Sequence, residues 1–146
     1  MNLSDFNIIK KIFGDNVVTP EEQASLFNEV SLMTLARATS ADTHTEQVEV
    51  VEVQEELRKL TGQTFTTAEI RVAAQSELFE ETPLDKFLSK AGKKLEVLDR
   101  VRVVTALAHI IHADGESRDS EKTYFDAVAK ALGIPVDIAA EIRAGL

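Results

Sequence analysis

The chain has 146 residues, 44% of them apolar and only 5% aromatic, which suits a single domain with one aliphatic core. The absence of cysteine excludes disulfides, zinc thiolates, iron-sulfur ligation and thiol redox chemistry from its own side chains. A formal net charge of −9 opposes binding to nucleic acid or to an anionic bilayer and favours cations or basic partners.

The opening MNLSDFNIIKKIFGDN lacks the long apolar core of a signal peptide, and no run approaches membrane-spanning length. A cytoplasmic address without membrane insertion is therefore expected. A short helix is predicted from Ser4 to Phe13. Thr19-Pro20-Glu21-Glu22 then combines an N-cap, a first-turn proline and a capping-box glutamate, so a second helix should begin there. From Leu26 to Ala38 it is apolar on most sides, as a central buried helix would be.

Val48 to Val53 partly alternates like a strand, but Val50, Val53, Leu57 and Leu60 follow helical spacing, and Gly62 supplies a stop. This segment reads as a helix from Thr45 to Leu60. Thr66 or Thr67 can cap a further helix through Glu80. Thr82-Pro83-Leu84-Asp85 resembles another capped start, and Gly92 is placed to break or bend the helix it begins. Leu95 to Ile111 is again apolar around most of its circumference and should pack beside the first buried helix. Ser117 can cap the helix carrying Tyr124, Phe125, Val128 and Leu132. Gly133 ends it, and Pro135 precedes a final short helix. The fold class expected is all-α, a compact bundle of about seven or eight helices.

An internal repeat organises these elements. A single offset of 72 residues superposes Leu35-Ala36 on Leu107-Ala108, Ala41-Asp42 on Ala113-Asp114, Glu49 on Glu121, Leu60 on Leu132 and Glu69-Ile70-Arg71 on Glu141-Ile142-Arg143. Residues 1–146 are read as one domain with repeat units at about 20–73 and 95–146. Charge is segregated: −2 over residues 1–40, −8 over 41–85, +4 over 86–113 and −3 over 114–146, which sum to −9.

The main chemical hypothesis rests on the loop acids Asp42, Glu49, Asp114 and Glu121. In the second unit, Asp114-Gly115 follows the buried helix, and Glu121 shares a helical face with Phe125 and Leu132, so its carboxylate should point inward. Such oxygen donors suit Ca²⁺, Mg²⁺ or Mn²⁺. The alternative is that the same carboxylates accept hydrogen bonds from loop and helix N-terminal amides. The spacing is no EF-hand. His109 and His112, with Asp114 nearby, make a lesser case for zinc, and His44 lies in the first loop. No phosphate loop, nucleophile elbow or HExxH motif is present, so a metal-dependent hydrolase is a distant alternative to a non-enzymatic role. The stripe Glu49, Glu52 and Glu56 is expected to form an exposed acidic edge for a basic partner. The alternative docking region is the basic segment around Lys86, Lys90, Lys93 and Lys94.

The stretch LAHIIHADGESRDSE, continuing YFDAVAKALGIP and preceded by the degenerate copy LARATSADTHTEQVE, resembles the TerB tellurite-resistance family and its wider superfamily. That superfamily includes the amino-terminal domain of the DjlA co-chaperones. The resemblance runs from about Val17 to the end, with Thr43 standing where glycine is common. It implies a helical bundle with a divalent-cation site on the acids at Asp42, Glu49, Asp114 and Glu121. It also implies a cytoplasmic role in resistance to tellurite or other stress, alongside protein partners of which some are at a membrane. The favoured reading is a non-enzymatic, cation-responsive interaction module. The runner-up is a structural, adaptor or co-chaperone-like bundle without metal.

Overall fold

Thr19 and Glu22 cap each other across the first turn: the Glu22 amide donates to Thr19 Oγ1 at 3.2 Å, and the Thr19 amide donates to Glu22 Oε1 at 3.0 Å. This reciprocal pair satisfies two amides that a helix N-terminus would otherwise leave open, and it launches α1, Pro20–Ala38. The computed structural model describes residues 19–38, 50–75, 84–112 and 119–144. The short helix expected at Ser4 to Phe13 lies outside them. Six more helices complete the described set: α2 Val50–Thr61, α3 Thr67–Ala74, α4 Leu84–Gly92, α5 Val97–Ile111, α6 Asp119–Ala131 and α7 Val136–Ala144. There is no strand among the described residues, and the all-α bundle is as expected.

Within the segment that partly alternates like a strand, residues 50–53 are helical, at the start of α2. Val53 and Leu57, four residues apart, are both fully buried, and Val50 and Leu60 pack partly against the core. One helical face collects all four, whereas a strand would send Val50 and Val53 to opposite sides. Thr66, rather than Thr67, caps α3, in a second box with Glu69. That helix ends sooner than the expected Glu80. Gln75 leaves helical geometry at φ −108°, ψ 19°, and its amide closes the last turn onto Arg71 and Val72.

Two glycines stop helices in different ways. Gly133, at φ 76°, donates to the Lys130 carbonyl while Ile134 reaches back to Ala129, the paired bonds of a Schellman ending, with Ile134 buried beyond it. Gly62, at φ 74°, makes the simpler single bond to the Arg58 carbonyl. Both positions need the left-handed conformation that a side chain disfavours.

Packing obeys the aliphatic stripes. The helices α1, α2 and α3 contact one another mutually, as do α5, α6 and α7, and α1 and α5 meet at the centre as expected. Residues 72 apart occupy the core together: Leu35 with Leu107, Ala36 with Ala108, Val53 with Phe125 and Leu57 with Ala129 are all buried. α4 closes the bundle against α6. Cross-links between distant segments run from side chain to backbone. Arg37 donates to the Ala74 carbonyl at 2.9 Å, Gln54 to Phe65 at 2.6 Å and the Tyr124 hydroxyl to Thr34 at 2.7 Å. Each satisfies a carbonyl from another element, fixing how that element sits.

Candidate functional site

Of the four acids proposed to hold a cation, Glu121 falls among the described residues. Asp42, Glu49 and Asp114 lie outside them. Glu121 stands in the first turn of α6 and is only 5% exposed, on the same face as buried Phe125 and Leu132. The helical phase read from the sequence is thus correct for this side chain. Its neighbour Tyr124 is set against α1: burial raises its hydroxyl well above the usual phenol range, with the Arg37 charge partly opposing this. The phenol therefore stays protonated and serves as a donor to Thr34.

His109 and His112 do not converge on one ligand. His112 Nε2 lies 2.9 Å from the Arg143 carbonyl and ties the end of α5 to the last turn of α7. His109 Nδ1 faces α2 instead, 3.5 Å from Glu56 Oε1. Among the described residues, no three His, Asp or Glu side chains group closely enough to hold a metal together.

The expected acidic edge of α2 is also different. Glu56 turns toward α5, with its side chain 17% exposed, and Glu52 is half-buried. The exposed positions are Val51, Glu55, Arg58 and Lys59, with Glu55 and Arg58 paired at 2.6 Å. The packing of α2 on α5 rotates the Glu52–Glu56 side partly inward. Helical periodicity within α2 cannot reveal which neighbour covers that side.

Between α2 and α5 lies an open groove of about 330 Å³ that no single segment announces. Its floor is aliphatic, with Leu60, Val101 and Ala106, and Glu56, Lys59, Arg102 and His109 surround it. The Arg102 guanidinium lies 4.7 Å from the centre of the Phe27 ring and contacts the Leu60 carbonyl at 3.2 Å and Asp99 at 3.3 Å. It bridges α1, α2 and α5. The spacing of Asp99, Arg102 and His109 along α5, at i, i+3 and i+10, is the sequence signal for this solvent-facing stripe.

These features define an all-helical domain with a buried carboxylate at one helix start and a polar-rimmed groove between two helices. The model of the family described as Tellurite resistance protein TerB matches residues 28–144, and the chain belongs to that family. No curated protein and no solved structure matches it. No described helix is long and apolar enough to cross a membrane.

Proposed function

We propose that this TerB-family chain is a non-enzymatic, divalent-cation-responsive interaction module acting in tellurite resistance or a related stress response. It works in the cytoplasm with protein partners, some of them associated with a membrane. The observation that carries this reading is the burial of Glu121 at the start of α6, within a segment the family model covers. A carboxylate drawn out of water needs a cation or several donors to offset its desolvation. Its oxygen chemistry suits Ca²⁺, Mg²⁺ or Mn²⁺, with Asp114 as the companion ligand in this unit and Asp42 with Glu49 in the other. The net charge of −9 favours cation capture and disfavours attraction of the tellurite oxyanion. Without cysteine, the chain has no thiol with which to reduce it.

A second reading is favoured by the position of Glu121 itself. As the third residue of α6 it is suited to accept backbone amides at that helix start, which would make the module an adaptor without metal. Thermal unfolding with and without Ca²⁺ or Mn²⁺ distinguishes the two. At about a hundredfold excess over the dissociation constant, a ligand specific for the folded state adds about 2.7 kcal/mol. In a chain of this size that is a rise of roughly 5–10 °C. Asp114→Asn with Glu121→Gln removes most of the rise while helical circular dichroism persists. An unchanged cation response in that double variant assigns Glu121 to capping and rejects the second-unit site.

A further inference from the structure

We propose that Glu56 and His109 are the two protein ligands of a site for one borderline divalent transition ion, with zinc as the reference case. The ion fastens α2 to α5 across their groove. This site is separate from the loop acids and does not depend on them.

The two side chains already stand at the separation that a shared ion requires. Nδ1 of His109 and Oε1 of Glu56 are 3.5 Å apart, which is longer than a sound N–H···O hydrogen bond. It matches the separation of two ligands on one tetrahedral ion. With each donor about 2.0–2.2 Å from the metal, the donor atoms stand roughly 3.4 Å from each other. Competition for the two groups is also lacking. Among the described residues neither side chain has another hydrogen-bond or ionic partner, although Glu56 is largely shielded from water. His112, by contrast, is already engaged with Arg143.

The pair is both accessible and rigidly held. The His109 side chain is 46% exposed at the edge of an open groove of about 330 Å³, which gives an ion an entry path and water room to fill its remaining positions. Both ligands stand on helices that pack directly on each other, so the pair is held ready rather than assembled on binding. An imidazole nitrogen beside a carboxylate selects zinc, copper or nickel over calcium and magnesium, which prefer all-oxygen sites. Of the two cations on the groove, Arg102 is neutralised by Asp99. Lys59 makes no ion pair among the described residues and opposes metal binding.

Calorimetric titration of the full chain with zinc chloride, in excess calcium to occupy oxygen-only sites, tests the assignment. The native chain should bind zinc and melt at higher temperature with it. His109→Ala and Glu56→Gln should each weaken binding on the order of tenfold or more and lose the melting shift. His112→Ala should bind as the native chain does, and Lys59→Ala should bind more tightly. Circular dichroism confirms that each variant is folded. Native-like zinc binding by His109→Ala overturns the site, as does a native chain that takes up no zinc. Loss in His109→Ala with native affinity in Glu56→Gln reduces the site to a lone imidazole and overturns the two-ligand geometry.

Discussion

The central helices α1 and α5 have similar aliphatic sequences, yet one is enclosed and the other keeps an open side. From Leu26 to Ala38 every residue of α1 is buried except Asn28 and Arg37, which are half-buried; the enclosed set includes Glu29, Ser31 and Thr34. Along α5, Arg102 and His109 are exposed and Asp99, Val101 and Thr105 half-buried, which leaves the stripe that borders the groove. Burial here is decided by layering more than by polarity. α1 is flanked by α2, α3, α5, α4 and α6, so even a glutamate on it is enclosed, whereas Val101 of α5 remains partly in water. The groove lies along this open side of α5, against α2.

The largest effect tests how the two triplets fill the same core. Val53 and Leu57 in α2 stand 72 residues from Phe125 and Ala129 in α6, so a medium and large pair is replaced by a larger and smaller one. Phe125→Ala should cost about 3–5 kcal/mol in urea unfolding, and Ala129→Leu alone about 1–3 kcal/mol from overpacking. Combining Phe125→Val with Ala129→Leu transfers the first triplet's solution to the second. It should recover stability relative to the sum of its single changes; strict additivity would show that the two cores are shaped differently.

Helix endings give the next comparison. Gly133→Ala and Gly62→Ala each force a β-carbon into left-handed geometry, costing about 1–2 kcal/mol. A β-carbon at Gly62 meets nothing within 4 Å, and at Gly133 only the flexible end of Arg100 at 3.5 Å. Similar losses at the two sites, measured by thermal unfolding, are therefore expected despite their different bonding patterns. A much larger loss at Gly133 would show that its paired bonds matter beyond the backbone conformation.

A smaller effect concerns the contact between the triplets made by Tyr124. Removing its hydroxyl in Tyr124→Phe should cost about 0.5–1.5 kcal/mol near neutral pH. Because burial raises the folded-state pKa above the ordinary 10.0, the native phenol's contribution is fully present below pH 10. It is lost as pH rises from there toward the folded-state value, since the unfolded chain releases the proton first. The native chain should consequently lose stability above pH 10 more steeply than Tyr124→Phe. Parallel curves would contradict the assignment.

Much of this architecture is legible in the sequence because it depends on local signals. The boxes at Thr19 and Thr66, the stops at Gly62 and Gly133, and the inward phase of Glu121 each arise from residues within one or two helical turns. Local patterns miss the pairing of faces. Glu56 reads as part of a solvent stripe until α5 covers it, and His109 and His112 look like neighbours until α2 draws one and α7 the other. The early end of α3 at Ala74 has no glycine or proline to announce it. The groove needs Leu60 and Val101 together, and their adjacency is tertiary.

A single nuclear magnetic resonance titration of the native chain, with calcium added first and zinc second, decides whether two distinct cation sites exist. Calcium should shift the Glu121 amide and leave the His109 ring unmoved; zinc should then shift the His109 ring, with Glu121 already saturated. The two ions would thereby separate the buried carboxylate of α6 from the open groove of α5. Both ions acting on the same residues, or neither perturbing Glu121 or His109, would contradict it.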